Sequence, residues 1–118
     1  MARGGQGQVA AGGTANIKTG TYTGDDSLSQ AITGVGFKPE SLWISVKYAA
    51  ETEYTEGIFF ATDQHAAGCC EFHDRTEDTT YDNRIISLDA DGFTVDDDGA
   101  NAHPNRGGVT YLYVAIAS

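Results

Sequence analysis

Residues 41–48, Ser-Leu-Trp-Ile-Ser-Val-Lys-Tyr, alternate with a period of two. Leu42, Ile44, Val46 and Tyr48 share one face, as a strand with a buried side requires. Ser41, Trp43, Ser45 and Lys47 share the other. Short runs suited to strands recur at Ile17–Thr23, Leu28–Thr33, Gly57–Thr62, Cys69–His73, Arg84–Leu88, Phe93–Asp96 and Val109–Ala117. Turn-forming stretches separate them: Gly24–Asp26, Gly34–Gly36, Ala49–Glu53, Asp74–Asp82, Asp89–Gly92 and Asp96–Gly108. About eight strands with frequent turns and no convincing helix predict an all-β, antiparallel β-sandwich of jelly-roll-like form. Residues 26–32 read alternatively as a short helical turn, because Asp26-Ser27 resembles a cap. No internal repeat is evident.

Several strands are apolar on both faces. In Val109–Ala117, one side carries Val109, Tyr111, Tyr113 and Ala115, and the other carries Leu112, Val114 and Ile116. Phe59 and Phe60 point opposite ways, as do Ile85 and Ile86. A small sandwich buries one face of each sheet, so a second apolar face needs cover. Loops of the same chain are one source of cover, and a neighbouring subunit is the other. The subunit reading draws an interface from Trp43, Phe59, Ile85, Tyr111 and Tyr113, because aromatic anchors are typical of interface cores. Residues 1–16 are mostly Gly, Ala, Gln and Thr with almost nothing to bury, and alone such a segment is expected to be disordered. They read as an assembly arm held by a neighbouring subunit, with Val9 joining the interface, ahead of a single sandwich domain at 17–118.

Charge narrows the partners. Seven Lys plus Arg face seventeen Asp plus Glu, a formal net charge of −10 over 118 residues. A nucleic-acid footprint is basic, and acidic lipid repels such a chain, so neither partner is expected. No run of about 18 apolar residues offers a membrane span. The acids are mostly Asp, and Lys18, Lys38 and Lys47 are the only lysines. This Asp-rich, Lys-poor balance resembles halophilic proteins, since in molar salt the Debye length falls to about 3 Å and like-charge repulsion costs little. A mesophilic surface kept soluble by charge is the alternative. The N-terminal residues lack the apolar core of a secretory signal, so export by lysis or within a particle is expected. Cys69 and Cys70 are adjacent and face opposite ways on a strand, so they suit packing better than a mutual disulfide or zinc.

Enzyme signatures are absent from the sequence. There is no Gly-x-Ser-x-Gly elbow, no phosphate-binding Gly loop and no His-Glu-x-x-His. Carboxylates are so common that pairing any two of them is uninformative. No enzymatic activity and no cofactor are expected. A structural divalent cation has candidate oxygen and nitrogen ligands in Asp96, Asp98 and His103, although the spacing is not that of an EF-hand. His73, Asp74 and Asp78 are a second grouping, around the Asp74–Asp82 turn. Carbohydrate recognition has residues of suitable type in Tyr54, Tyr81, Asn83, Asn105 and Arg106, each of which also reads as an ordinary loop or packing residue.

Short Gly-aromatic phrases carry a resemblance that spans nearly the whole chain beyond the arm. They are Gly20-Thr-Tyr22-Thr-Gly24, then Ile32–Ile44 with Gly36-Phe37-Lys38-Pro39 running into Leu42-Trp43-Ile44, then Ile85–Val95 with Gly92-Phe93-Thr94-Val95, then Asn105–Ala115. In this order they resemble the tail-fibre-type β-sandwich domains of virion-surface proteins in tailed viruses. The halophile-like composition suggests a haloarchaeal virus. The resemblance implies a non-enzymatic capsid or tail protein of decoration, turret or spike type on the virion surface. It implies homo-oligomers, contact with other virion proteins and, alternatively, a module that binds a host glycan or glycoprotein. Turn glycines and core aromatics make up the shared pattern, so no catalytic residue is implied. Glu51–Glu56 and Asp74–Asp82 depart from its lean form as acidic insertions.

Overall fold

The computed structural model describes residues 15–48, 58–65, 69–73, 78–82, 84–96 and 104–118. They form nine strands: β1 (Asn16–Thr23), β2 (Gln30–Ile32), β3 (Ser41–Tyr48), β4 (Ile58–Thr62), β5 (Cys69–His73), β6 (Asp78–Asp82), β7 (Ile85–Asp89), β8 (Gly92–Val95) and β9 (Thr110–Ala117). No helix occurs among the described residues. The segment 26–32 is therefore not a helical turn; Asp26 instead takes a left-handed φ of 63° and β2 begins at Gln30. The expected strands are all present, and the acidic stretch read as one long turn contains a strand of its own. Its Asp78–Asp82 pairs antiparallel with Cys69–His73. That strand was hard to see because Asp-Thr-Thr-Tyr-Asp has no apolar alternation and lies at the edge of a sheet, where burial does not impose one.

Every strand pairing is antiparallel. Six strands form one sheet in the order β1-β9-β3-β4-β5-β6, and three form a second in the order β2-β8-β7. The architecture is a β-sandwich of unequal layers. The register sets the core. Tyr113 lies opposite both Gly20 and Ile44, Ile44 opposite Phe59, and Phe59 opposite Phe72, so one row of side chains crosses five strands on the inner face. The small sheet covers this row with Ile32, Phe93, Val95 and Ile85, all buried. Phe93 stands edge-on to Tyr22 and Tyr113, with ring centroids 5.8 and 5.1 Å apart, and Tyr22 stacks on Tyr111 at 5.2 Å. Each such aromatic pair contributes about 0.5–1.5 kcal/mol beyond the area it buries.

Two glycines explain the Gly-aromatic phrases. A Cβ at Gly20 would meet the Tyr113 ring at 2.7–2.8 Å, so the bare backbone makes room for the aromatic on the neighbouring strand. At Gly92 a Cβ would meet the Ile32 carbonyl oxygen at 1.8 Å, so β8 approaches β2 only without a side chain there. Cys70 is buried within the core, as its expected packing role requires.

Four residues expected at a subunit interface belong to this core instead. Phe59, Ile85, Tyr111 and Tyr113 are 1–4% exposed. They point inward because the inner face of β9 is the one carrying Tyr111, Tyr113, Ala115 and Ala117, and the small sheet lies over it. Val9 lies outside the described residues.

Candidate binding face

The outer face of the large sheet is built by the complementary alternation. Register places Ile17 beside Ile116 and Ile116 beside Ser41 in one row. The next row runs Thr19, Val114, Trp43, Phe60 and Glu71 across five strands. A third runs Thr21, Leu112, Ser45, Ile58 and His73. The apolar members are left substantially open to solvent: Ile17 is 65% exposed, Ile58 44%, Leu112 40% and Trp43 37%. Trp43 leans on Phe60, with ring centroids 4.8 Å apart. Exposed Leu or Ile residues scattered singly are ordinary, but a contiguous band across four strands is the usual mark of a contact surface.

Charge is arranged around this band. No Asp or Glu occurs in β1, β3, β4 or β9, although the chain holds seventeen. The first carboxylate along the middle row is Glu71 on β5, and it is already engaged. One of its oxygens lies 2.9 Å from His65 Nε2 and the other 2.9 Å from His73 Nε2. The Thr62 backbone N–H donates to His65 Nδ1 at 3.0 Å, so Nδ1 is the acceptor and Nε2 carries the proton that His65 gives to Glu71. These bonds hold the Glu71 carboxyl below the usual carboxylate range, that from His65 foremost. The His65 ring also stands edge-on to Phe60 at 5.9 Å, which joins the polar rim to the aromatic pair.

The other polar clusters hold the sandwich together. Buried Asn105 donates from Nδ2 to Asp25 Oδ1 and to the Ser27 carbonyl, both at 2.9 Å, and accepts the Asp25 N–H at its Oδ1. Its backbone carbonyl accepts the Asp26 N–H, and Gly107 N–H donates to Asp26 Oδ1 at 2.8 Å. Two loops about 80 residues apart in sequence are thereby locked together, with Tyr22 Oη donating to the Pro104 carbonyl at 2.6 Å beneath them. Hydrogen bonds from Ser27 chiefly, and from Asn105, keep the Asp25 carboxyl below its ordinary value. At the β7–β8 hairpin, Asp91 accepts the backbone N–H groups of Gly34 and Gly36 at 3.0 and 2.7 Å, which lowers its carboxyl in the same way. Asp89 accepts the hydroxyls of Ser87 and Thr94.

These contacts redistribute the sequence-based candidates. Asn105, expected among sugar-binding residues, is fully buried and ties loops together, so it offers nothing to a ligand at the surface. Arg106 is half-buried beside it, with its backbone N–H donating to Tyr111 Oη at 3.0 Å. Tyr54 and Asn83 lie outside the described residues. The backbone of Tyr81 lies in β6 opposite Cys70. Of the cation candidates, Asp96 is buried next to β8, its backbone N–H donating to the Arg84 carbonyl. Burial takes it away from an open loop site, while Asp98 and His103 lie outside the described residues. Among the described residues, no group of three or more His, Cys, Asp or Glu side chains is placed to hold a metal ion.

Trp43 does stand where the interface reading put it, on the outer face. Of its companions there, Leu112 and Phe60 belong to the second apolar faces that the sequence marks as needing cover, whereas Ile17 and Ile58 carry no such mark in the sequence. Pairing the alternation of β9 with that of β1 and β4 would have found them, but this requires a strand order that sequence does not state.

Family comparison covers the whole sandwich, since one family model matches residues 13–117. The chain belongs to DUF7483, a domain of unknown function. No curated protein and no solved structure matches the chain. The DUF7483 match starts just ahead of β1 and ends with β9, so both the core phrases and the exposed band lie inside the family domain.

Proposed function

We propose that this DUF7483 protein is a non-enzymatic structural module of a virion surface, of the decoration, turret or spike kind, that works by assembly. The observation that carries an assembly role is the apolar outer face of β1, β9, β3 and β4, strands without a carboxylate in a chain of net charge −10. The virion setting is supported by the order of the Gly-aromatic phrases, whose glycines and aromatics the fold uses as turn and core positions. In this reading, residues 1–16 serve as a docking arm toward other virion proteins. The acidic remainder faces solvent, and the halophile-like composition makes molar salt the natural medium.

Virus particles purified from the source that carries this coding sequence provide the test. Peptides of the chain should co-purify with particles through a density gradient, and antibodies against it should label their surface in electron micrographs. Absence from the particles, with the chain abundant in the cells, overturns the virion reading. Unfolding followed from low to molar salt checks the setting. A halophilic chain gains stability steeply with salt, and a flat response removes that part of the proposal.

A further inference from the structure

We infer that two copies of this chain stack face to face through the outer surface of the six-stranded sheet, with Trp43 at the centre of the contact. This deepens the assembly reading above and rests on it, naming the surface and the partner.

Charge selects the partner. Two chains of net charge −10 repel each other, and all seventeen acids lie in sequence outside β1, β3, β4 and β9. The one broad face whose strands carry no Asp or Glu is formed by β1, β9, β3 and β4. A basic partner gains nothing from a face without carboxylates and would select the acidic loops. A second copy gains the apolar contact and meets no carboxylate across it; Lys47, exposed near the end of β3, is the one charged residue of that strand.

Shape agrees. Trp43 projects from β3 between Ser41 and Ser45, its two neighbours on the same side of the strand. Phe60 braces it from β4. Along the outward positions of β3 the large Trp43 is followed by the small Ser45, with Leu112 beside Ser45 on β9. A two-fold axis sets Trp43 of one copy over Ser45 of the other, a large side chain against a small one, which is the self-complementarity an isologous contact demands.

Area suffices as well. Three of the strands have eight residues and extend about 27 Å at ~3.4 Å per residue, β4 with five extends about 17 Å, and side by side at ~4.8 Å they offer a planar face on the order of 500 Å². Corrugation by side chains enlarges this toward the roughly 800 Å² per partner of a standard interface.

Sedimentation velocity of the 118-residue chain across a concentration series tests the inference. The chain should pass from monomer to dimer, and added salt should tighten the dimer, because salt screens the repulsion of the acidic remainder and leaves an apolar contact intact. Trp43→Glu and, independently, Ser45→Arg should lower the association constant at least tenfold. Ala31→Glu, on the exposed side of the small sheet, should leave it unchanged. The chain has a single tryptophan, so the unaltered protein reports on itself. Trp43 fluorescence should shift to the blue over the same concentrations at which the dimer forms. A monomer throughout the series overturns the inference. So does a dimer that resists both substitutions, or one that forms with no change in Trp43 emission. The outcome is separable from the virion test: a dimer of this kind on a chain absent from particles sinks the virion reading alone, and a monomeric chain found on particles sinks the stack alone.

Discussion

The two sides of β9 carry similar residues and meet different fates. Tyr111, Tyr113, Ala115 and Ala117 are almost completely buried, whereas Leu112 between them is 40% exposed and Val114 and Ile116 are half-covered. Hydrophobicity does not separate these sets. The difference lies in what stands opposite: the three-stranded sheet brings Phe93, Val95, Ile32 and Ile85 over one side, and no described residue of the chain brings a comparable layer over the other. A core is therefore an apolar face plus a lid, and a binding surface is the same kind of face without one. The comparison makes quantitative demands on both sides.

Its largest consequence concerns the lid. Phe93 is fully buried and touches Tyr22 and Tyr113 edge-on across the two sheets. Phe93→Ala should destabilise the fold by about 3–5 kcal/mol, the usual cost of deleting a buried aromatic and leaving its cavity. Urea unfolding followed by circular dichroism measures this. A loss below about 1 kcal/mol, well under that range, would mean that the small sheet does not seal the inner face, and the contrast between the faces would disappear.

Next in size is the polar lock that closes one end of the same lid. From its own loop Asn105 satisfies a donor and two acceptors of the facing Asp25–Ser27 loop, and its side chain is wholly buried. Asn105→Ala strands those groups, at a cost of about 1–3 kcal/mol. If the chain instead lost glycan binding and kept its stability, Asn105 would belong to a recognition surface after all.

How much of this was legible beforehand follows from where burial imposes a pattern. From Leu42 to Val46 the alternation is clean because one side packs on a core and the other does not; a register shift follows Val46, yet the bounds of the strand are readable to the residue. β9 is apolar on both sides, so its sequence fixes a strand but leaves open which side is the core. Tyr111 and Tyr113 were assigned to an interface for that reason. β6 is hidden among acids and threonines, since Asp-Thr-Thr-Tyr-Asp carries no apolar alternation and only its pairing with β5 marks it as a strand. The exposed band was out of reach for a different reason. Ile17, Trp43, Ile58 and Leu112 come from four strands scattered along the chain, and only the order β1-β9-β3-β4 makes them neighbours.

A smaller effect separates the rim of the sandwich from its core by pH. Backbone N–H donation from Gly34 and Gly36 depresses the Asp91 carboxyl in the folded chain. A depressed folded value means that the stabilisation is complete above the unfolded value, about 3.9. It is lost as pH falls through the lower folded value. Acid unfolding should therefore steepen below about pH 4, and Asp91→Asn should flatten that limb with little change near neutrality in its slope with pH. Midpoints of urea unfolding at a series of pH values read this out. An identical acid limb in the variant would remove the Asp91 clasp from the account of how the hairpin is held.

The smallest effect belongs to the outer face itself. Leu112 is one residue from buried Tyr113 and points the other way, with Thr21 and Ser45 opposite it on the flanking strands. Leu112→Thr places a β-branched, strand-favouring residue at an open position. The substitution removes little buried surface, so the monomer should change in stability by no more than about 0.5 kcal/mol, the usual bound for a surface site. The measurement belongs at a protein concentration low enough to populate the monomer, since any partner bound to the folded state adds its own stabilisation. A loss of about 2 kcal/mol there would show that Leu112 is already covered within the chain, since truncating a buried Leu costs that much. The outer face would then be a second core rather than a surface awaiting a partner.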